Sequence, residues 1–186
     1  MKIFIVVFLL FLVAQVANSS DAVSVGETQF SIDRLNALHA VEASMDNIGG
    51  VLKRFKPQGA QIKNLKVEGN RLSFKVVKSI LFSATVKAVV DVEKQNPACP
   101  STSVAGYVVN LDLRQSDSIV ADNIESMRID LCVNDLGTDK LSIVGKGFVG
   151  KAPNFSTAVG GALVSGMGEQ VPAMAQAIKA EVMAQP

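Results

Sequence analysis

The chain has 186 residues, 48% hydrophobic and 19% charged with six prolines, a composition that excludes a disordered or collagen-like chain and suits one globular domain. Eighteen Lys and Arg stand against 17 Asp and Glu, and the cations are scattered apart from Lys53-Arg54 with Lys56. Nucleic acid is therefore disfavoured as a partner, because displacing its counterions takes a concentrated basic excess.

Residues 1–19 read as a signal peptide. Met1-Lys2 is a short basic start, Ile3 to Val16 is apolar apart from Gln15, and Ala17-Asn18-Ser19 fits a small-x-small cleavage site. The apolar run stops short of the ~20 residues that span a bilayer. The expected organisation is a leader over 1–19 and a single α+β domain over 20–186, secreted or otherwise extracytoplasmic, and periplasmic if the source is a Gram-negative bacterium. Loss of Lys2 with the leader leaves 17 basic against 17 acidic residues.

Val23, Val25 and Phe30 suggest a short first strand. From Ser31 to Phe55 the apolar residues Ile32, Leu35, Leu38, Val41, Met45, Ile48, Val51, Leu52 and Phe55 recur at threes and fours, the spacing of one helix face. Ser31 is the expected N-cap, and Gly49-Gly50 the expected kink or division. Lys53, Arg54 and Lys56 then meet the negative end of the helix dipole.

From Ile62 to Val149 the period changes to two. "LKVEGNRLSFKV" is a hairpin turning at Gly69-Asn70, with Glu68 opposite Arg71, Val67 opposite Leu72, Lys66 opposite Ser73 and Leu65 opposite Phe74. That register puts Leu65, Val67, Leu72 and Phe74 on one apolar face. Phe82, Val86 and Val90 continue the alternation along a long strand from Ile80 to Glu93. Further strands run from Ala105 through Tyr107 to Leu113, from Met127 to Val133, and from Leu141 to Val149, the last thinned by Gly145 and Gly147. The remainder returns to helical spacing through Val159, Leu163, Met167, Val171, Met174, Ile178 and Val182, with Pro172 expected to break or kink it. The fold class is α+β: a curved antiparallel meander of about five to six strands packed with an N-terminal and a C-terminal amphipathic helix.

Cys99 and Cys132 are the only cysteines. In an exported chain such a pair reads as a disulfide rather than a metal or thiol site, pinning the "NPACP" loop to the outside of the sheet. Asn154-Phe155-Ser156 is a glycosylation sequon, meaningful only in a eukaryote.

Chemistry is sparse. The single histidine, His39, sits beside core positions of a helix, which rules out a histidine-rich metal site and leaves a catalytic triad one candidate base. Ser165 in "LVSGMG" lacks the glycine two residues before it that a nucleophile elbow needs, and "GGALVSGMG" lacks the Lys-Ser/Thr ending of a phosphate loop. Acid pairs such as Asp122 with Glu125, and the Asn134, Asp135 and Asp139 of "NDLGTDK", occur as often in ordinary turns. No catalytic residue, metal site or cofactor is assigned, and an enzyme is not expected.

A lining of Val, Leu, Phe and Met with no tryptophan and one tyrosine suits a chain-like apolar ligand better than a sugar or a protein hot spot. The order of leader, amphipathic helix, long antiparallel strands such as "ILFSATVKAVVDVE" and closing helix resembles the tubular lipid-binding (BPI-like) superfamily. The resemblance implies an extracytoplasmic carrier of a lipid or other apolar small molecule, compatible with transient membrane contact. The expected lining is Leu65, Val67, Leu72, Phe74, Phe82, Val86, Val90, Tyr107, Met167 and Met174. The alternative is a secreted structural or protein-interaction domain whose core is filled.

Overall fold

The computed structural model describes residues 22–59, 61–79 and 82–186, together with all their side chains except those of Lys78, Ser79 and Phe82. The expected leader lies outside the described residues. Seven strands form one antiparallel sheet: β1 (Ala22–Asp33), β2 (Gln61–Glu68), β3 (Arg71–Ser79), β4 (Phe82–Glu93), β5 (Ala105–Asp112), β6 (Ile124–Gly137) and β7 (Lys140–Lys151). Their spatial order, β1-β7-β6-β5-β4-β3-β2, is a six-strand meander to which β1 is added beside β7. The sheet curves into a half-barrel, with one strand more than the upper expectation.

The first segment corrects the sequence reading. The apolar spacing predicts a helix from Ser31, but β1 continues to Asp33, pairing Phe30 with Ile143 and Ile32 with Leu141 of β7. Phe30 and Ile32 fit a period of two as well as a helical stripe, and the exposure of Gln29, Ser31 and Asp33 shows which period holds. The chain then turns through Asn36 in the left-handed region (φ 58°) into helix α1 (Ala37–Asp46). Helix α2 (Ile48–Arg54) follows after a break at Asn47, just ahead of the expected Gly49-Gly50. The Asn47 side chain caps α2 by accepting from Gly50 N at 3.3 Å.

The hairpin forms as read for three of its four pairs: Glu68–Arg71, Val67–Leu72 and Lys66–Ser73. The fourth fails, because the register shifts between Lys63 and Lys66, where Asn64 takes φ 56°. The bulge turns Leu65 away from Phe74 and leaves it 41% exposed. On the other side, β4 pairs with β5 only over Val89 to Glu93. Its first half is closed by the loop after β5, where Asp117 Oδ2 accepts from Thr85 N at 2.6 Å and Ser116 Oγ accepts from Lys87 N at 2.9 Å. One turn of helix, α3 (Ser118–Ala121), follows and buries Val120; nothing in the sequence pattern announced it.

Two helices close the chain: α4 (Thr157–Gly168) and α5 (Gln170–Val182). They part at Glu169, consistent with Pro172, which has no N–H to offer the carbonyl of Gly168 and crowds it. The inner face of α5, including Val171, Met174, Ile178 and Val182, is fully buried against β1, β7, α1 and α2. Gly147 lies directly beneath Val171, and a side chain there would hold α5 off the sheet.

Cys99 and Cys132 are bonded, with Cα atoms 5.4 Å apart. Met127, Ile129, Leu131 and Val133 face the core, and Arg128, Asp130 and Cys132 face the convex side. There Arg128 grips Asp130 through two bonds of 2.7 and 2.8 Å, which satisfies a carboxylate that is only 5% exposed. The Cys99 loop lies over Gly106, whose added Cβ would come within 2.9 Å of Cys99 Sγ.

Candidate functional site

The concave face of the sheet and the α4–α5 junction enclose a cavity of about 20 Å³. Leu72 and Phe74 of β3, Val86 and Ala88 of β4, Leu111 and Leu113 at the end of β5, and Met127 and Ile129 of β6 form its floor. Phe55 after α2, with Met167, Gln170 and Met174 of the junction, closes it. The volume is about one water's worth, but a water needs polar partners, and apolar cavities of this kind stay dry. Gln170 is the sole polar residue of the lining, which holds no titratable side chain.

Of the residues expected to line a site, the structure brings Leu72, Phe74, Val86, Met167 and Met174 together around this cavity. Val90 and Tyr107 are buried in the same core but outside the lining, Val67 is half-buried against it, and Leu65 faces solvent because of the bulge. The Phe82 side chain lies outside what the structure describes. Sequence reasoning missed Phe55, Ala88, Leu111, Leu113, Met127, Ile129 and Gln170. Most of these carried the right signal, the period of two in β5 and β6. Gln170, a lone amide in a helix, carried none.

Tyr107 is 3% exposed, and burial, with the carboxylates of Glu42 and Asp46 adding to it, pushes its hydroxyl up to about 12. A folded pKa above the unfolded value of about 10 means the contribution to stability is intact below pH ~10 and is lost as pH climbs through about 12. Because Tyr107 is the only tyrosine, tyrosinate absorbance reads it alone. The midpoint is expected near 12 in the native protein and near 10 in denaturant; equal midpoints would show that the phenol is not buried.

Elsewhere, His39 is exposed, 3.9 Å from Glu42. Asp112 is held below the usual carboxylate range by hydrogen bonds from Arg114. Asn154 of the sequon is exposed in the turn before α4, and Ser156 occupies the N-cap position without a side-chain cap bond. Among the described residues no group of three or more His, Cys, Asp or Glu is placed to hold a metal ion, and no helix is long and apolar enough to cross a membrane.

A curved antiparallel sheet closing on a C-terminal helix, with two short helices between its first two strands, is a helix-grip arrangement. Among solved structures the chain is similar to the Zhui aromatase/cyclase from Streptomyces sp. R1128, at 12% identity over 87% of this chain and 94% of that one, TM-score 0.50. It is likewise similar to a point mutant of norcoclaurine synthase from Thalictrum flavum in complex with a transition-state analogue, at 15% identity over 89% and 96%, TM-score 0.52. At these identities the likeness is one of fold. No protein-family model and no curated protein matches the sequence. The resemblance to the tubular lipid-binding superfamily holds as far as a curved sheet wrapped on a helix, here the C-terminal α5, and not for that superfamily in particular.

Proposed function

We propose that the protein binds a lipid or other apolar small molecule between the curved sheet and its C-terminal helices. The observation that carries this reading is the cavity under the α4–α5 junction, lined by aliphatic, Phe and Met side chains and the apolar stem of Gln170. Methionines 127, 167 and 174 in that lining can repack around an irregular apolar shape. No charged side chain lines the cavity, so a charged headgroup would stay at the mouth, where water spares it the cost of desolvation.

Two of the similar folds are enzymes by name. The lining offers no general acid, base or nucleophile, and catalysis is not part of this proposal. The leader composition and the Cys99–Cys132 bond support an extracytoplasmic carrier.

The second reading is a structural or interaction domain with a filled core, and the observation favouring it is that the cavity measures only about 20 Å³. Native mass spectrometry and solvent extraction of gently prepared protein separate the two. A co-purifying apolar molecule is expected; its absence, with no uptake of a fluorescent fatty acyl probe, would leave the filled core.

A further inference from the structure

We propose that the Gln170 side chain is a latch, whose release opens the cavity between the α2–β2 loop and the α4–α5 junction. The proposal rests on the apolar-binding reading and names how that site is admitted to solvent.

The two ends of the C-terminal helical pair are held differently. The far end of α5 is anchored twice. Arg34 Nη1 donates to the carbonyls of Val182 at 2.6 Å and Gln185 at 3.1 Å, and Arg54 Nε donates to Glu181 Oε2 at 2.5 Å. Helix α4 has no charged side chain, buries only Gly160 and Met167, and is separated from α5 by the single residue Glu169. Between the anchored and the loosely held helix, Gln170 reaches across to the loop after α2. Its Oε1 accepts from Gln58 N at 3.1 Å, and its Nε2 donates to Gln58 O at 3.0 Å and to Gly166 O at 2.9 Å. Among the described residues, the two bonds to Gln58 are the hydrogen bonds that join this loop to the junction.

Gln170 is also the one polar residue of the lining, and it meets the cavity with its apolar stem while its amide is turned to Gln58 and Gly166. The position therefore combines an apolar chamber, a closure made of two solvent-exposed hydrogen bonds, and a break between helices next to it. Water can replace both bonds when they part, so opening costs far less than disrupting the core beneath. Turning at Glu169, α4 would carry Met167 away from Phe55 and Phe74 while α5 stays on the sheet.

Two measurements on the full chain decide it. The first uses Gln170→Leu, which keeps the apolar stem and loses both bonds to Gln58. Without ligand, amide hydrogen exchange over residues 157–168 and 55–59 is expected to accelerate about tenfold, the order of one net hydrogen bond, while β5 and β6 stay unchanged. Unchanged exchange, or equal acceleration everywhere, overturns the latch. The second joins Gln58→Cys to Gln170→Cys with a short bis-maleimide. Association of 1-aminoanthracene is expected to slow at least tenfold in the bridged protein and to quicken in Gln170→Leu; equal rates in the bridged and unbridged forms overturn it as well. If the unmodified protein takes up no probe, the binding reading fails, and hydrogen exchange still decides the latch.

Discussion

Replacing both cysteines, Cys99→Ala with Cys132→Ala, is expected to lower stability by about 3–4 kcal/mol, the loop-closure effect of a cross-link spanning 33 residues. For a chain of this size that corresponds to a melting temperature roughly 6–15 °C lower. The bridge fastens the loop between β4 and β5 to the convex face of β6, and Asn96 beside it donates to the carbonyl of Tyr107 at 3.2 Å. Calorimetry of the oxidised protein and the double variant measures the difference. An unchanged melting temperature would mean that the loop is held by its other contacts, and that the bridge has no structural role.

The second large effect is expected at Ile129, 1% exposed on the floor of the cavity. Ile129→Ala should destabilise by about 2–5 kcal/mol, from lost transfer energy and from the space left by a sheet that relaxes only in part. The void adds to the existing cavity of about 20 Å³, so the variant is expected to bind a small apolar probe such as indole more tightly than the parent does. Added probe should then recover part of the lost stability by mass action. Urea titrations with and without indole test both halves. A loss below about 1 kcal/mol would mean that the α4–α5 junction settles into the space, and that the site is softer than its packing suggests.

Local patterns were legible wherever a residue's environment is decided by its neighbours along the chain. The alternation in β4 and β6, the turn at Gly69-Asn70 and the break that Pro172 imposes could be read directly, and the structure contains all three. That alternation alone puts Leu72, Phe74 and Val86 on the core face, and they lie there. The failures share a cause. Phe30 and Ile32 suit both a helical and an extended period, and only pairing with β7, more than 100 residues away, selects the strand. Leu65 would share that face in an unbroken ladder, which a single left-handed residue, Asn64, interrupts.

By itself, then, the sequence determined the class of fold, the strand faces, the helix breakers and a core of aliphatic, Phe and Met side chains, because these follow from backbone stereochemistry and from the spacing of apolar groups. Only the tertiary structure decided that β1 closes the sheet beside β7, that α5 rather than an N-terminal helix is gripped, and that Gln170 meets Gln58 across 112 residues of sequence. The same holds for the size of the cavity. It is a small difference between large packed volumes contributed by β3, β4, β5, β6 and the two C-terminal helices, and no periodicity along one segment carries a difference of that kind.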